Sequence, residues 1–197
     1  MNRTLPVIGT ASAVVLIDQL SKNWAVNRLS PAGSDEHINV LLGVQFRLAF
    51  NQGMAFSKFN DSGALIGLIA VTIIGGLIWF SRSVKGAPAL CVVGVVIGGA
   101  TGNLLDRLFR VPYSAAPGFM KGAVVDFVYT SWWPTFNVAD SAVVVGGILL
   151  AIVVWQQPDP DSPTTGESPA SGDITASDPT SGDFGPSNGA PSEIPSP

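Results

Sequence analysis

FNVADSAVVVGGILLAIVVW, residues 136 to 155, has the length and composition of a membrane-spanning helix. A helix needs about 20 mostly apolar residues to cross a bilayer. This stretch nevertheless opens with two polar side chains, Asn137 and Asp140. Carboxylates at or near a membrane span are costly, and those that persist usually have a task. The pattern therefore predicts a spanning helix with a functional site at its start.

Three further stretches of similar apolar length predict an all-α membrane protein with four spanning helices. The predicted spans are residues 5–25, 63–80, 87–108 and 136–155. Their glycines suit close packing between helices in lipid. In the long loop after the first span, VQFRLAF alternates apolar and polar residues, which predicts a strand. We expect a small β-element over about residues 37–58, on the membrane surface.

The chain divides by composition into an apolar body, residues 1–156, and a polar tail, residues 157–197. The tail holds nine prolines and seven acidic residues but no lysine or arginine, so we expect it to be disordered. The body holds ten basic and seven acidic residues, a net charge of +3. The net charge of −4 for the chain therefore reflects the tail and not an acidic working surface.

The chain has one cysteine and one histidine, which argues against several classes of site. Cys91 lies in an apolar run, where a packing role is expected, and His37 lies in a polar stretch typical of a surface. An internal disulfide is excluded, and no zinc-binding spacing is present. We therefore expect no metal and no cofactor, and no Ser-His-Asp triad.

Alternation of the spans brings the unusual polar residues to one side of the membrane. The ends of spans one and three, the first and third connections, and the start of span four all fall there. The residues concerned are Asp18, Lys22, Asn51, Asn103, Asp106, Arg107, Asp126, Asn137 and Asp140. This convergence predicts a single site.

Two carboxylates in one site favour acid–base chemistry. Asp126 and Asp140, held close in a low dielectric, would share one proton. The ionised group can take a proton from a water that attacks a carbonyl, and the protonated group can polarise that carbonyl and later protonate the leaving amine. The alternatives are a small proton- or cation-coupled transporter using the same aspartates and a non-catalytic membrane scaffold. Four spans without an internal repeat favour the transporter less.

Helical spacing suggests roles for the other polar residues. Asp18 and Lys22 are four apart and share a helix face, so we interpret them as an interfacial ion pair that anchors the first span. Asn103 and Arg107 are also four apart, and Arg107 can pair with Asp106 or steady a substrate carbonyl. In NQGMAFS, Asn51 begins either a plain hairpin turn or a functional segment, and the residues leave both open.

Charge bias does not orient the body in the membrane. The tail side carries Arg3, Arg82 and Lys85. The side with the polar motifs carries more charge in total, namely Arg28, Arg47, Lys58, Arg110 and Lys121.

Five motifs in a fixed order carry a resemblance to a known family. They are DQLSK (18–22), NQGMAFS (51–57), GGATGNLLDR (98–107), VVDF (124–127) and FNVAD (136–140). Together, over roughly residues 10 to 150, they resemble lipoprotein signal peptidase, also called signal peptidase II. That family consists of bacterial cytoplasmic-membrane aspartyl endopeptidases.

The resemblance implies removal of the signal peptide from prolipoproteins, just before a cysteine that carries a diacylglyceryl group. It implies a site at the outer face of the membrane, with both termini in the cytoplasm. The implied catalytic pair is Asp126 and Asp140, and Asp106 ranks below Asp126 as a rival. The implied substrate-binding residues are Asn51, Gly53, Asn103, Arg107 and Asn137. The implied supporting residues are Asp18, Lys22 and Asp106.

The resemblance also implies partners and two local departures. The expected partners are prolipoproteins and membrane lipid, with no nucleic acid and a monomeric chain, and we expect a lipid-exposed groove beside the site. VPYSAAPGFMKGA, residues 111–123, looks inserted relative to the family, and the stretch between Asp126 and Asp140 looks short. We expect an amphipathic or irregular lid over the site, and these departures could change which lid covers it.

Overall fold

The computed structural model describes residues 3–29, 37–53, 62–110, 120 and 122–156, which form helices and one sheet. The helices are α1 (Thr4–Arg28), α2 (Ser62–Phe80), α3 (Ala87–Phe109) and α4 (Val138–Trp155). The strands are β1 (Ile38–Leu41), β2 (Val44–Asn51), β3 (Val124–Thr130) and β4 (Trp133–Phe136). The predicted disordered tail and most of the predicted insertion lie outside the described residues.

The fold is mostly helical, and its helices are apolar. By length and composition α1, α3 and α4 can each cross a membrane, whereas the apolar part of α2, Ala64–Phe80, is shorter. Large apolar side chains stay exposed along the helices, for example Leu16, Leu68 and Ile148. Apolar surface of this extent is unusual for a protein in water and is ordinary for helices that face lipid.

Helix α3 lies at the centre, because it packs against α1, α2 and α4. Close approach is possible since glycines face the neighbouring helices. A Cβ at Gly98 would lie 2.7 Å from the carbonyl oxygen of Ala11 on α1, and one at Gly99 would lie 2.6 Å from that of Ala139 on α4. Glycine is therefore the residue that lets these backbones touch, as the sequence predicts.

The sheet packs on the C-terminal end of α1. Its strands are all antiparallel, in the order β1-β2-β3-β4, and Ala49 of β2 pairs with Asp126 of β3. A small apolar core joins helix and sheet, formed by Ala25, Leu29, Leu48, Val125 and Phe127. This packing holds β3, and with it Asp126, against the end of the helical bundle.

The sheet is larger than the sequence analysis predicted. The expected β-element was confined to the first loop, but β3 and β4 come from the third connection and complete the sheet. The run VVDFVYT is rich in β-branched and aromatic residues, which is the signal of a buried strand. Helix α4 also begins later than predicted, at Val138, because Asn137 has extended backbone angles (φ −134°, ψ −175°) and caps the helix.

Candidate active site

The first turn of α4 is closed by a reciprocal capping box. Asn137 Oδ1 accepts a hydrogen bond from the Asp140 backbone N–H at 2.9 Å, and Asp140 Oδ2 accepts one from the Asn137 backbone N–H at 3.2 Å. Such a box uses backbone donors that a helix N-terminus otherwise leaves unpaired. Asp140 is thereby fixed at the positive end of the α4 dipole, where a carboxylate charge is stabilised.

Asp126 lies on β3, with only 3% of its surface exposed. Its two carboxylate oxygens accept hydrogen bonds from different amides. Asn137 Nδ2 donates to Oδ1 at 2.7 Å, and Asn51 Nδ2 donates to Oδ2 at 3.1 Å. The two donors come from the start of α4 and the end of β2, so the position of Asp126 depends on both elements.

Asn103 of α3 forms a hydrogen bond with Asp140 and links it to the buried Lys22 of α1. Its Nδ2 donates to Asp140 Oδ1 at 2.8 Å. Its Oδ1 accepts from Lys22 Nζ at 2.9 Å and from Asn137 Nδ2 at 3.2 Å. Asn137 therefore contacts both sides of the site: its amide nitrogen reaches Asp126 and Asn103, and its amide oxygen accepts from Asp140. Asp126 and Asp140 belong to one hydrogen-bond network.

Burial and charge change the pKa of Asp126. Burial raises the pKa of this carboxyl most, the nearby Asp140 charge raises it further, and the amides of Asn51 and Asn137 oppose the rise, so that it reaches about 7. A carboxyl with this pKa keeps a proton near neutrality, when an ordinary aspartate has lost it. The site therefore places Asp126, with its raised pKa, in the same network as Asp140, whose carboxylate accepts hydrogen bonds from Asn103 Nδ2 and the Asn137 backbone N–H.

Arg107 lies under the same site, on α3. It is 7% exposed, and its Nη1 is buried with no hydrogen-bond partner among the described residues. Its charge interacts with Asp126, Asp106 and Asp140. A buried guanidinium N–H without a partner is costly unless a ligand completes it, which fits the predicted contact with a substrate carbonyl.

Asn51 is held by the turn that follows it. The Gly53 backbone N–H donates to Asn51 Oδ1 at 2.9 Å, and Gly53 has a φ of +89°, which favours glycine. The bond turns the Asn51 amide nitrogen toward Asp126. Gly53 itself is buried. The later residues of this motif, 54–57, lie outside the described residues.

Asp18 and Lys22 form the expected ion pair, with Lys22 Nζ 2.8 Å from Asp18 Oδ2. Both side chains are fully buried, and Lys22 Nζ also contacts Asp106 Oδ2 at 2.9 Å. Asp106 in turn pairs with Arg110 Nε at 2.7 Å. The pair lies between α1 and α3 because Gly102 leaves room there: a Cβ at Gly102 would lie 2.5 Å from Asp18 Oδ2.

Three further residues of this region were not singled out from the sequence. Gln19 Nε2 donates to Asp18 Oδ2 and to Asp106 Oδ1, each at 3.2 Å. Arg110 is four positions from Asp106, a helical spacing that identifies it as a pairing candidate. Gly122 lies against the last carbonyls of α3, where a side chain would collide, and its N–H donates to Arg107 O at 3.0 Å.

An apolar groove of about 330 Å³ opens beside Asp140. It runs between the β3–β4 turn and one face of α4, and Asp140 is its charged lining residue. The other lining residues are Thr130, Trp132, Trp133, Phe136, Ser141, Val144 and Val145. Val144 and Val145 are exposed on α4, so the groove continues onto the surface that would face lipid.

The described residues contain no group of three or more His, Cys, Asp and Glu side chains that could hold a metal ion. His37 is exposed at the start of β1, and Cys91 is half-buried within α3.

Sequence comparison places the chain beside characterised families. The family model for signal peptidase (SPase) II matches residues 10–156. A lipoprotein signal peptidase of Rhodococcus jostii (strain RHA1) is 39% identical over 164 residues, covering 83% of this chain and 79% of that protein. A lipoprotein signal peptidase of Mycolicibacterium smegmatis is 40% identical over 149 residues, covering 75% of this chain and 60% of that protein.

Structural comparison agrees on the fold. A bacterial membrane enzyme solved by the in meso method at 1.9 Å resolution superposes with a TM-score of 0.64. The match covers 77% of this chain and 94% of that chain, at 23% sequence identity. At this identity the likeness bears on the fold alone.

Proposed function

The chain belongs to the signal peptidase II family, and from that membership we propose that it removes signal peptides from bacterial prolipoproteins by aspartyl hydrolysis. The observation that carries the proposal is the hydrogen-bond network in which Asn137 joins Asp126 and Asp140. An aspartyl mechanism needs one protonated and one ionised carboxyl beside a shared water. The raised pKa of Asp126, about 7, supports that division.

In the proposed reaction Asp140 is the base and Asp126 is the acid. Asp140 takes a proton from a water, whose oxygen attacks the carbonyl carbon of the scissile amide. Asp126 donates its proton to the carbonyl oxygen as the tetrahedral intermediate forms. As the intermediate collapses, the C–N bond breaks, the proton on Asp140 passes to the leaving amine, and Asp126 takes back a proton from a hydroxyl as the carbonyl re-forms. Arg107 Nη1, which is buried and has no hydrogen-bond partner in the described part of the chain, is suited to hold a substrate carbonyl in place.

The proposed substrate cysteine carries a diacylglyceryl group, which needs an apolar site beside the carboxylates. The groove between the β3–β4 turn and α4 supports this, because it is almost wholly apolar and begins at Asp140. An acyl chain lying along Val144 and Val145 would stay in contact with lipid while the amide reaches the dyad. Asn51, Asn103 and Asn137 then hold the carboxylates and offer further amide contacts to the peptide.

We place the site at the outer face of the cytoplasmic membrane, with both chain termini in the cytoplasm. The carboxylates and the sheet share one end of the bundle. The opposite end carries basic groups, including Arg3, whose guanidinium donates to Arg82 O at 2.8 Å. Basic residues on short connections favour the cytoplasmic side. The proposed partners are prolipoproteins and membrane lipid, and the proposed working form is a monomer.

Conservative replacement of each aspartate tests the dyad. Asp126→Asn and Asp140→Asn should each reduce cleavage of a synthetic diacylated lipobox peptide by at least about 1,000-fold, because each removes one proton-transfer step. The purified variants should keep their yield in the membrane fraction and their helical content by circular dichroism. Full activity in either variant would reject the dyad.

The same assay separates a peptidase from a proton- or cation-coupled transporter. Product that lacks the signal segment, formed in detergent without an ion gradient, is expected only from a peptidase. A protein that moves protons across liposomes but leaves the peptide intact would overturn the proposed function.

A further inference from the structure

We propose that Lys22 is a positioning residue for catalysis, because its buried ammonium connects both members of the dyad to one ionic cluster. The inference rests on the proposed function and extends it to a residue that does not touch the carboxylates that react. The cluster consists of Asp18, Lys22, Asp106 and Arg110. Lys22 is its centre, since it contacts Asp18 at 2.8 Å and Asp106 at 2.9 Å.

Lys22 contacts two carboxylates, and each of them accepts a hydrogen bond from the backbone N–H of the residue just before Asp126 or Asp140. Asp18 Oδ1 accepts from the backbone N–H of Ala139 at 2.9 Å, immediately before Asp140. Asp106 Oδ2 accepts from the backbone N–H of Val125 at 3.2 Å, immediately before Asp126. A single ammonium therefore fixes α4 and β3 relative to α1 and α3.

Lys22 also sets the orientation of an amide in the site. An ammonium can only donate, so its 2.9 Å contact requires the oxygen of Asn103 to face it. The nitrogen of Asn103 must then face Asp140, to which it donates at 2.8 Å. Without the ammonium, the Asn103 oxygen loses the charged donor that holds the amide in this orientation. An oxygen turned toward Asp140 would repel the carboxylate that acts as base.

An anchoring role at the membrane surface does not explain this geometry. Lys22 has no exposed surface, and its three partners come from α1 and α3. Burying an ion pair is weak evidence for stabilisation, because the loss of hydration offsets much of the attraction between the charges. The contacts to Asp18, Asp106 and Asn103 instead give the cluster a geometric role at the dyad.

The test compares Lys22→Met with wild type, using the full chain in detergent and a diacylated lipobox peptide. We expect KM to change by less than about threefold and kcat to fall about 100-fold, the effect of displacing reacting groups by about 1 Å. Lys85→Met, an exposed lysine between α2 and α3, is the matched control and should keep both constants.

A pH profile adds a measurement that a purely structural role would not change. Burial raises the pKa of Asp126 most, and the Lys22 charge opposes that rise. Removing the ammonium should therefore raise the pKa of Asp126 further. In Lys22→Met, the fall of kcat on the alkaline side of the pH profile should move to higher pH. The other charged groups around these two residues are Asp18 of α1, Asp106, Arg107 and Arg110 of α3, and Asp140 of α4.

A second variant covers the case in which Lys22→Met does not fold. The double variant Lys22→Met, Asp18→Asn removes one positive and one negative charge. Its amide oxygen at position 18 can still accept a hydrogen bond from the backbone N–H of Ala139. We expect this variant to regain thermal stability and to keep the low kcat. Wild-type kcat in either folded variant would overturn the positioning role. A wild-type protein that does not cleave the peptide would instead overturn the proposed function.

Discussion

Asn137 performs two tasks with one side chain. Its oxygen caps α4 by accepting from Asp140 N–H, and its nitrogen donates to Asp126 Oδ1 at 2.7 Å. A serine or an aspartate would cap the helix equally well, but neither has an amide nitrogen for Asp126. The choice of asparagine is therefore explained by the dyad and not by the helix.

Two substitutions separate the tasks of Asn137. Asn137→Ala removes both the cap and the donor, so we expect it to lose about 1 kcal/mol of stability and most of its activity. Asn137→Ser keeps a capping oxygen, so its stability should stay near wild type while kcat falls about 10- to 100-fold, the effect of leaving a buried acceptor on Asp126 without its donor. Thermal unfolding and peptide cleavage measure the two effects, and an active Asn137→Ser would show that the cap alone matters.

The raised pKa of Asp126 predicts the pH dependence of cleavage. Burial is its main cause and the Asp140 charge adds to it, and the value is about 7. The proposed acid works only while it holds its proton. Activity should therefore be highest below about pH 7 and fall roughly tenfold per unit above it, as the protonated fraction falls. A kcat that stays constant from pH 6 to pH 9 would contradict the assignment of Asp126 as the acid.

Local patterns in the sequence were enough to find the helices and the residues of the site. Hydropathy identifies α3 and α4 because a long apolar run is a property of consecutive residues. Alternation of spans was enough to bring Asp126 and Asp140 to one side. Helical spacing also brought out the pair of Asp18 and Lys22, although not its burial.

These local patterns do not predict contacts between distant parts of the chain. Lys22 and Asn103 are 81 positions apart, and no periodicity indicates that one donates to the other. The pairing of β2 with β3 joins the first loop to the third, so local patterns place VVDF in a connection and do not predict that it forms a strand. The apolar groove, by contrast, is local in sequence, because the β3–β4 hairpin that lines it leads directly into α4.

Helix α4 offers a direct test of the groove. Val145→Trp places a large ring in the space beside Asp140, and we expect KM for the diacylated peptide to rise at least about tenfold, a loss of ~1.4 kcal/mol of binding. Ile152→Trp is the matched control, because Ile152 is exposed on the same face two turns away and does not line the groove. Equal KM values for both variants and wild type would exclude the groove as the lipid site.

The tail is the part of the chain with the least expected effect on cleavage. The hydrogen bonds and ion pairs of the site join residues between Asp18 and Asp140, and the match to the signal peptidase II model ends at residue 156. Asp140 lies in the first turn of α4, and the chain leaves that helix after Trp155, roughly 20 Å farther along its axis.

Deleting residues 158–197 should therefore leave kcat/KM for the diacylated peptide within about twofold of the full chain at 0.15 M salt, a difference smaller than ~0.5 kcal/mol. A variant that keeps the tail but replaces its seven acidic residues by amides is the matched control for charge, and it should behave in the same way. Loss of activity in both variants would show that the tail carboxylates act on the site or on the substrate. Loss in the deletion alone would show that the length of the tail, and not its charge, supports the enzyme.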